Sequence, residues 1–459
     1  MKKKSRQFQL PQFSALTLLC VGLSITSVFA EDAPSNSTST PPAAKDQTYI
    51  AVGQAKTRKT SIALPSFIGS PPLKAAGEKT LEIVRADLMY MDSFQILDPK
   101  GFTDTSAGVE PGTFQMTNWS SVQAEFVFKA SMKNTESGVA LEGYLYNVGS
   151  GNAIVTKRYL ASLGDLKTLG HTVANDIVKA ISGLPGIFLT KIAMVCDRTS
   201  KKEIYVMDFD GSNNRQVTHH KSVTLSPAWS PDGTRIAYSL YAKNKRNIKN
   251  VNLYEFDFSS NRIKLLSDRL GINSGAHYHP DGKKIALTMS FLGNPEIFSF
   301  DPSSKSVTRL TNNAGVDVDP NWAPDGKHLS FVSNRAGAPM VYRMNSDGSD
   351  VRRLTFAGTY NATPSWSPQN NKIAFAGWLD RRFDIFVMNP DGTNIERLTK
   401  DQGNNEDPSF SPDGNFLVFS SNRAGQKNVY VMNIDGTFVK RMTYGLGDCV
   451  SPRWSNPSR

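Results

Sequence analysis

One seven-residue phrase, Pro408-Ser409-Phe410-Ser411-Pro412-Asp413-Gly414, returns at a fixed interval through the second half of this chain. Earlier copies are Pro227-Ala228-Trp229-Ser230-Pro231-Asp232-Gly233, Tyr278-His279-Pro280-Asp281-Gly282, Pro320-Asn321-Trp322-Ala323-Pro324-Asp325-Gly326 and Pro364-Ser365-Trp366-Ser367-Pro368. A degraded copy, Pro452-Arg453-Trp454-Ser455-Asn456, lies near the last residue. The turn positions are 231, 280, 324, 368, 412 and 456, in steps of 49, 44, 44, 44 and 44. Proline presets φ for a turn, aspartate accepts hydrogen bonds from its own backbone, and glycine supplies φ > 0 without a steric cost. Each phrase therefore reads as strand, tight turn, strand.

A second landmark keeps the same register. Segments starting at Ile204, Leu253, Ile297, Val341, Ile385 and Val429 end at Thr218, Ser267, Thr311, Thr355, Thr399 and Thr443. Each reads as a strand, a turn such as Asp391-Gly392 or Asp435-Gly436, and a short fourth strand. Four strands repeating at this period predict the blades of a propeller. Residues 190–195 look like the second strand of a blade with no phrase in front of it, while the strand around 450–455 has no blade behind it. One of the six blades is thus built from both ends of the domain, which closes the ring and removes its free edges. The composite blade also contains Cys196 and Cys449, within about one residue of direct opposition. In an oxidising compartment a disulfide there would staple the ring; the alternative is two buried thiols.

Upstream of the repeats the composition changes. Lys2, Lys3, Lys4 and Arg6 precede an apolar run at 16–28 that is too short to cross a bilayer, and Val28-Phe29-Ala30 ends in a small residue. Residues 1–30 read as a secretory signal. Leu19 stands where lipidation of Cys20 would need a small residue, so a lipid anchor is not expected. Loss of the signal's four positive charges leaves +7 of the formal +11. No Lys/Arg stripe interleaved with aromatics accompanies that charge, which argues against nucleic acid. Residues 31–48, rich in Ser, Thr, Pro and Ala, form a flexible arm.

Residues 49–183 alternate helical and strand patterns. Strands are expected at 61–67, 94–97, 124–133, 139–148 and 153–161, with a helical turn at 119–122. Helices are expected at 78–91 and 165–181, with Gly183 as the C-cap. The fold class is therefore an α/β N-terminal domain, a mixed sheet with two helices, followed by an all-β six-bladed propeller over 187–459 closed by the C-terminal strand.

Hydrolase chemistry has no foothold in the sequence. No Gly-x-Ser-x-Gly occurs, and Gly271 to Gly275 has the wrong spacing. No cofactor motif is present. His277 and His279 share one face of an inner strand by period 2 and would be half of a metal site; strand histidines facing the channel or a neighbouring blade are the simpler reading. The loops entering the inner strands are polar: Asn273, Ser274 and Gly275; Asp317, Val318 and Asp319; Asn361 and Thr363; Glu406 and Asp407. They are expected to ring the channel mouth, with Arg335, Arg381 and Arg423 outside them. A rim of mixed charge on a rigid scaffold suits protein recognition. Its carboxylates would also suit a hard cation such as calcium.

The six repeats, the signal and the preceding α/β region, with Gly170-His171-Thr172 in the last helix and the joint Gly183-Leu184-Pro185-Gly186-Ile187-Phe188, resemble the TolB family of periplasmic propeller proteins. That resemblance covers the whole mature chain. It implies a monomeric, non-enzymatic adaptor of the Tol–Pal system, docking the Pal lipoprotein on the propeller rim and a TolA-like inner-membrane protein through its N-terminal arm. It also implies a part in outer-membrane integrity and constriction at division, with colicin-type toxins as further partners. Tyr49, Ile50, Ala51 and Val52 are the arm's candidate for strand addition. The runner-up is a secreted propeller enzyme, of lyase or hydrolase type, with a metal at the channel mouth.

Overall fold

The computed structural model describes residues 58–104, 108–243 and 246–457. The expected signal, the arm and residues 49–52 lie outside them. In the α/β region the chain departs from the expected strand at 61–67. β1 runs Thr60–Ala63 and β2 Ile68–Gly69. Pro65, between them, has no N–H to give a ladder. α1 is Pro71–Tyr90, seven residues longer at its start than its apolar stripe implied. Proline occupies the first helical positions, where the missing N–H costs nothing and the fixed φ already suits the helix.

β3 (Phe94–Ile96), a short α2 (Thr117–Ser121), β4 (Phe126–Thr135), β5 (Gly138–Asn147), β6 (Ala153–Ala161) and α3 (Leu166–Ser182) complete the unit. Gly183 ends α3 at φ 75°, the left-handed conformation of a C-cap. The sheet runs β3-β1-β4-β5-β6, with β2 beside β4. Its β1/β3, β1/β4 and β2/β4 pairs are parallel and the rest antiparallel. α1 and α3 cross closely because Gly170 has no Cβ: one placed there would meet Ile83 Cγ2 at 2.6 Å.

Six four-stranded antiparallel sheets follow among the described residues. Blades 1 to 5 begin with the inner strands Val223–Trp229, Asn273–Tyr278, Asp317–Trp322, Asn361–Trp366 and Asn405–Phe410. Blade 6 joins Cys449–Trp454 to Lys191–Cys196, Glu203–Asp208 and Arg215–Gln216. Cys449 pairs directly with Cys196, and the two are disulfide-bonded.

The two landmarks have separate physical causes. In the Pro-Asp-Gly turns the carboxylate of Asp232, Asp281, Asp325 or Asp413 accepts the backbone N–H two residues on, at 2.8–3.2 Å. In five of the six blades the threonine closing the repeat turns its Oγ1 back to accept an N–H in the first half of the third strand. These bonds, from Ile204, Ile297, Val341, Ile385 and Val429, are 2.9–3.0 Å long.

The α/β unit packs on the turn side of blades 5 and 6. Tyr90 lies against Phe209, Phe416 and Phe438 at ring separations of 5.6, 5.3 and 5.8 Å. Buried His171 contacts Asp87 through Nδ1 at 2.7 Å and sets its ring edge-on to Phe209. Burial pushes the Asp87 carboxyl up, and His171 opposes that. Lys167 reaches across to donate to Ser212 Oγ at 2.7 Å. One apolar core thus runs from the α/β unit into the propeller, and the opposite rim is left uncovered by it.

Candidate functional site

The rim away from the α/β unit is formed by the loops entering each inner strand and those joining second and third strands. A repeated clip holds these loops. In blades 2 to 5, Arg309, Arg353, Arg397 and Arg441 donate through Nε to the carbonyl of the threonine two residues on, at 2.7–3.1 Å. Three clips also engage an acceptor buried at the start of the third strand. Arg309 reaches Glu296 at 2.9 Å, Arg397 reaches Asp384 at 2.5 Å, and Arg441 reaches Asn428 at 2.9 Å. Glu203 takes the same place in blade 6, accepting from Thr218 at 2.6 Å and from the Lys221 amide at 2.6 Å. The sequence reading passed over these buried acids. Their spacing in the repeat, 203, 296 and 384 in register with the strands, was the available signal.

The expected ring of open acceptors divides in two. Asn273, Ser274, Asp317, Asn361, Glu406 and Asp407 are buried. Asp317 is completely buried and holds Arg335 at 2.8 Å and Asn313 at 2.6 Å. Asn361 donates to the Ala357 carbonyl at 2.9 Å, and Asn273 to that of Arg269 at 2.7 Å. These side chains tie the loops down and are not free acceptors; a polar loop folded over a blade must satisfy its own backbone. Glu406 is held by Lys427 at 2.9 Å, and burial pushes its carboxyl up. Two of the expected outer arginines belong to the same framework. Arg335 lies over Phe331 and Tyr342, and Arg423 over Phe419 and Tyr430, where it also donates to Asn405 at 2.8 Å. Arg381 is exposed.

The residues that face the channel are partly open, save for buried Asp407. Each inner strand is bulged, and the bulge puts one residue per blade in the left-handed region: Ser226, Gly275, Asp319, Thr363, Asp407 and Ser451, at φ 49–62°. Only one of the six is glycine. The bulge thus turns five side chains that a regular pleat would have placed otherwise. Asp407 accepts from the Ser451 amide at 3.1 Å in the next blade. Burial, then repulsion from Asp407, pushes Asp319 up to about 6, while Arg453 pulls against this. One step further in, His277 accepts from the Trp322 amide at 3.1 Å, Asn321 from Trp366 at 3.0 Å and Ser409 from Trp454 at 3.2 Å. This belt of bonds joins neighbouring blades around the channel. Burial and Arg453 push His277 down to about 4.

Val318 is partly open on its inner strand. His277 and His279 have separate polar partners: His279 sets its ring edge-on to Trp322 and faces Asp281 at 2.8 Å. Among the described residues no three His, Cys, Asp or Glu side chains come together as a metal would require.

Because Asp319 binds its proton more tightly folded than unfolded, its contribution to stability falls as pH rises from about 4 to about 6. Asp319→Asn is therefore expected to stabilise the protein by about 1–3 kcal/mol at pH 7.5, with most of that gain gone at pH 4.5. Thermal melts at the two pH values check this; an equal effect at both would refute the assignment.

The polarity reading missed the apolar side chains on this rim. Leu270, Leu292, Phe356 and Tyr444 are 52–68 % exposed, and all four sit in entering or second-to-third-strand loops. The two aromatics are braced by the clips. Arg353 lies over Phe356 at 4.9 Å and Arg441 over Tyr444 at 4.6 Å. Rigid aromatics on an ordered base, among part-buried arginines, are the composition of a protein-docking surface.

Comparison with known proteins agrees across both units. A model of the TolB beta propeller domain matches residues 178–379 and 361–459, and one of the TolB amino-terminal domain matches 48–154. The Tol-Pal system protein TolB of Anaeromyxobacter dehalogenans is 34 % identical over 54 % of this chain and 56 % of its own. That of Geobacter metallireducens is 37 % identical over 41 % and 44 %. The chain spans about half the length of the curated relatives it matches. The crystal structure of TolB from Acinetobacter baumannii superposes with a TM-score of 0.73 at 27 % identity, over 87 % of this chain and 97 % of that one.

Proposed function

This chain belongs to the TolB family, and on that premise we propose that it is a non-enzymatic periplasmic adaptor of the Tol–Pal system. Its propeller rim docks the Pal lipoprotein, and the segment around residues 49–52 engages a TolA-like inner-membrane protein. The link serves outer-membrane integrity and constriction at division. Colicin-type toxins would compete for the same rim. The observation that carries this reading is the pairing of exposed Phe356 and Tyr444 with the Arg353 and Arg441 clips, on the face that the α/β unit leaves open. Such anchors lose little side-chain freedom on docking, because their rings are already held. No helix among the described residues is long and apolar enough to cross a membrane.

The test is capture of the Pal lipoprotein from solubilised envelope by the mature protein, followed by titration with purified Pal. Phe356→Ala and Tyr444→Ala are each expected to weaken binding roughly 5- to 30-fold with an unchanged melting temperature. Unaltered binding by both variants would move the docking site off these anchors. No binding by the parent protein would overturn the adaptor reading.

A further inference from the structure

We propose that the outer edge of the described α/β sheet, strand β6, is a second docking site, which takes an extended acidic segment of a partner protein by strand addition. The two edges of this sheet are unlike. β3 is three residues long, too short to template much pairing. β6 has nine residues, about 30 Å of strand, paired on one side with β5 and on the other with no strand among the described residues. On its outward side the backbone groups of alternate residues remain open to a further strand. The strand is also unusually open in its side chains: Ile154 is 42 % and Leu160 69 % exposed, with Leu163 just beyond at 59 %. Thr156, Arg158 and Leu160 share one face by period 2, and the ladder is bulged at Ile154, which stands exposed at the start of the strand. The edge thus offers an apolar contact at each end and a cation between.

Charge selects the occupant. Lys157 and Arg158 stand together in mid-strand. The neighbouring carboxylates are already engaged: Asp176 by Lys157 at 2.7 Å, and Glu142, directly across the ladder from Arg158, by Lys133 at 2.7 Å. Arg158 itself is exposed. A second copy of this chain fits poorly. Antiparallel self-pairing centred on the strand would set Lys157 against Lys157, and like charges directly opposite are destabilising. A strand alternating apolar and acidic residues would instead lay its carboxylates beside Arg158 and its apolar side chains beside Ile154 and Leu160, while its main chain completes the ladder.

The probe is a synthetic nine-residue peptide of alternating valine and glutamate, with an alternating valine–lysine peptide as control, added to the mature protein. The expected result is saturable binding of the acidic peptide, with amide exchange in 153–161 slowed tenfold or more and no slowing by the basic one. Arg158→Glu should weaken the acidic peptide tenfold or more at unchanged melting temperature and admit the basic peptide. Phe356→Ala and Tyr444→Ala should leave both results unaltered, so failure here and failure of the rim reading are separable. No protection at saturating peptide, protection outside β6, equal binding of both peptides, or a dimer of this chain through β6 would each overturn the proposal.

Discussion

Replacing Cys449 by serine is expected to cost the propeller about 2–5 kcal/mol and to lower its melting midpoint by roughly 5–15 °C. The bond to Cys196 closes a loop of 253 residues, so in the unfolded chain it removes a large set of otherwise accessible conformations. In the folded state it joins the inner strand of blade 6, the last of the chain, to the second strand of the same blade. That strand is held by other means too. Trp454 donates through its indole to Thr190 at 2.7 Å, and Ser455 Oγ accepts from the Lys191 amide at 2.9 Å. Neighbouring blades contribute Asp407 and Ser409 on one side and the Trp229 indole, at 3.0 Å to the Arg453 carbonyl, on the other. The ring should therefore still close without the bond, only less stably. The measurement is a thermal melt of Cys449→Ser, of the Cys196→Ser/Cys449→Ser pair, and of the parent under reductant. Equal losses in all three locate the effect in the bond. Midpoints within about 1 °C of the oxidised parent would show that strand pairing alone secures the ring.

Asp384→Ala is expected to cost about 3–5 kcal/mol. Asp384 is fully buried and accepts from Arg397 at 2.5 Å, from Thr399 at 2.7 Å and from Asn405 at 3.0 Å. Removing it leaves a guanidinium that is only 12 % exposed, together with two donors, short of an acceptor. Asp380 would still hold Arg397 on its exposed side at 2.8 Å, which limits the loss. Asp384→Asn should cost less, because one acceptor survives. A control is Arg352→Ala, whose pair with Asp350 lies at the surface and should change stability by less than about 1 kcal/mol. Since Asn405 begins the inner strand of the next blade, the alanine variant should also quicken amide exchange through the loop at 400–404. Equal melts for Asp384→Ala and Arg352→Ala would refute the role given to the clip.

The propeller was legible in the chain because its repeats are local. Pro412, Asp413 and Gly414 make their turn by themselves, and Thr443, fourteen residues past Val429, returns to bond that residue's N–H in the third strand. Period and blade count therefore need no tertiary information. The α/β sheet was legible for a related reason: β4, β5 and β6 alternate in place, and Gly183 marks its helix end by φ alone. The start of α1 was harder to see, since Pro71 and Pro72 are read first as breakers and only position makes them initiators.

The rim was less legible. Asp317 and Asp319 are two residues apart in one polar loop, and composition treats them alike. The structure buries Asp317 completely under Arg335 and turns Asp319 into the channel, because a bulge and a left-handed backbone lie between their environments. The same holds for Cys449, whose distance from Cys196 hung on a one-residue register. By itself the sequence determined the number of blades, their closure by the last strand and the α/β unit ahead of them, through turn chemistry and side-chain period that act within a few residues. Only the tertiary structure decided which polar side chains became pins, which aromatics stood out as anchors and which strand lay at the edge of the described sheet. Burial is set by the element that packs on top, and that element comes from a distant part of the chain.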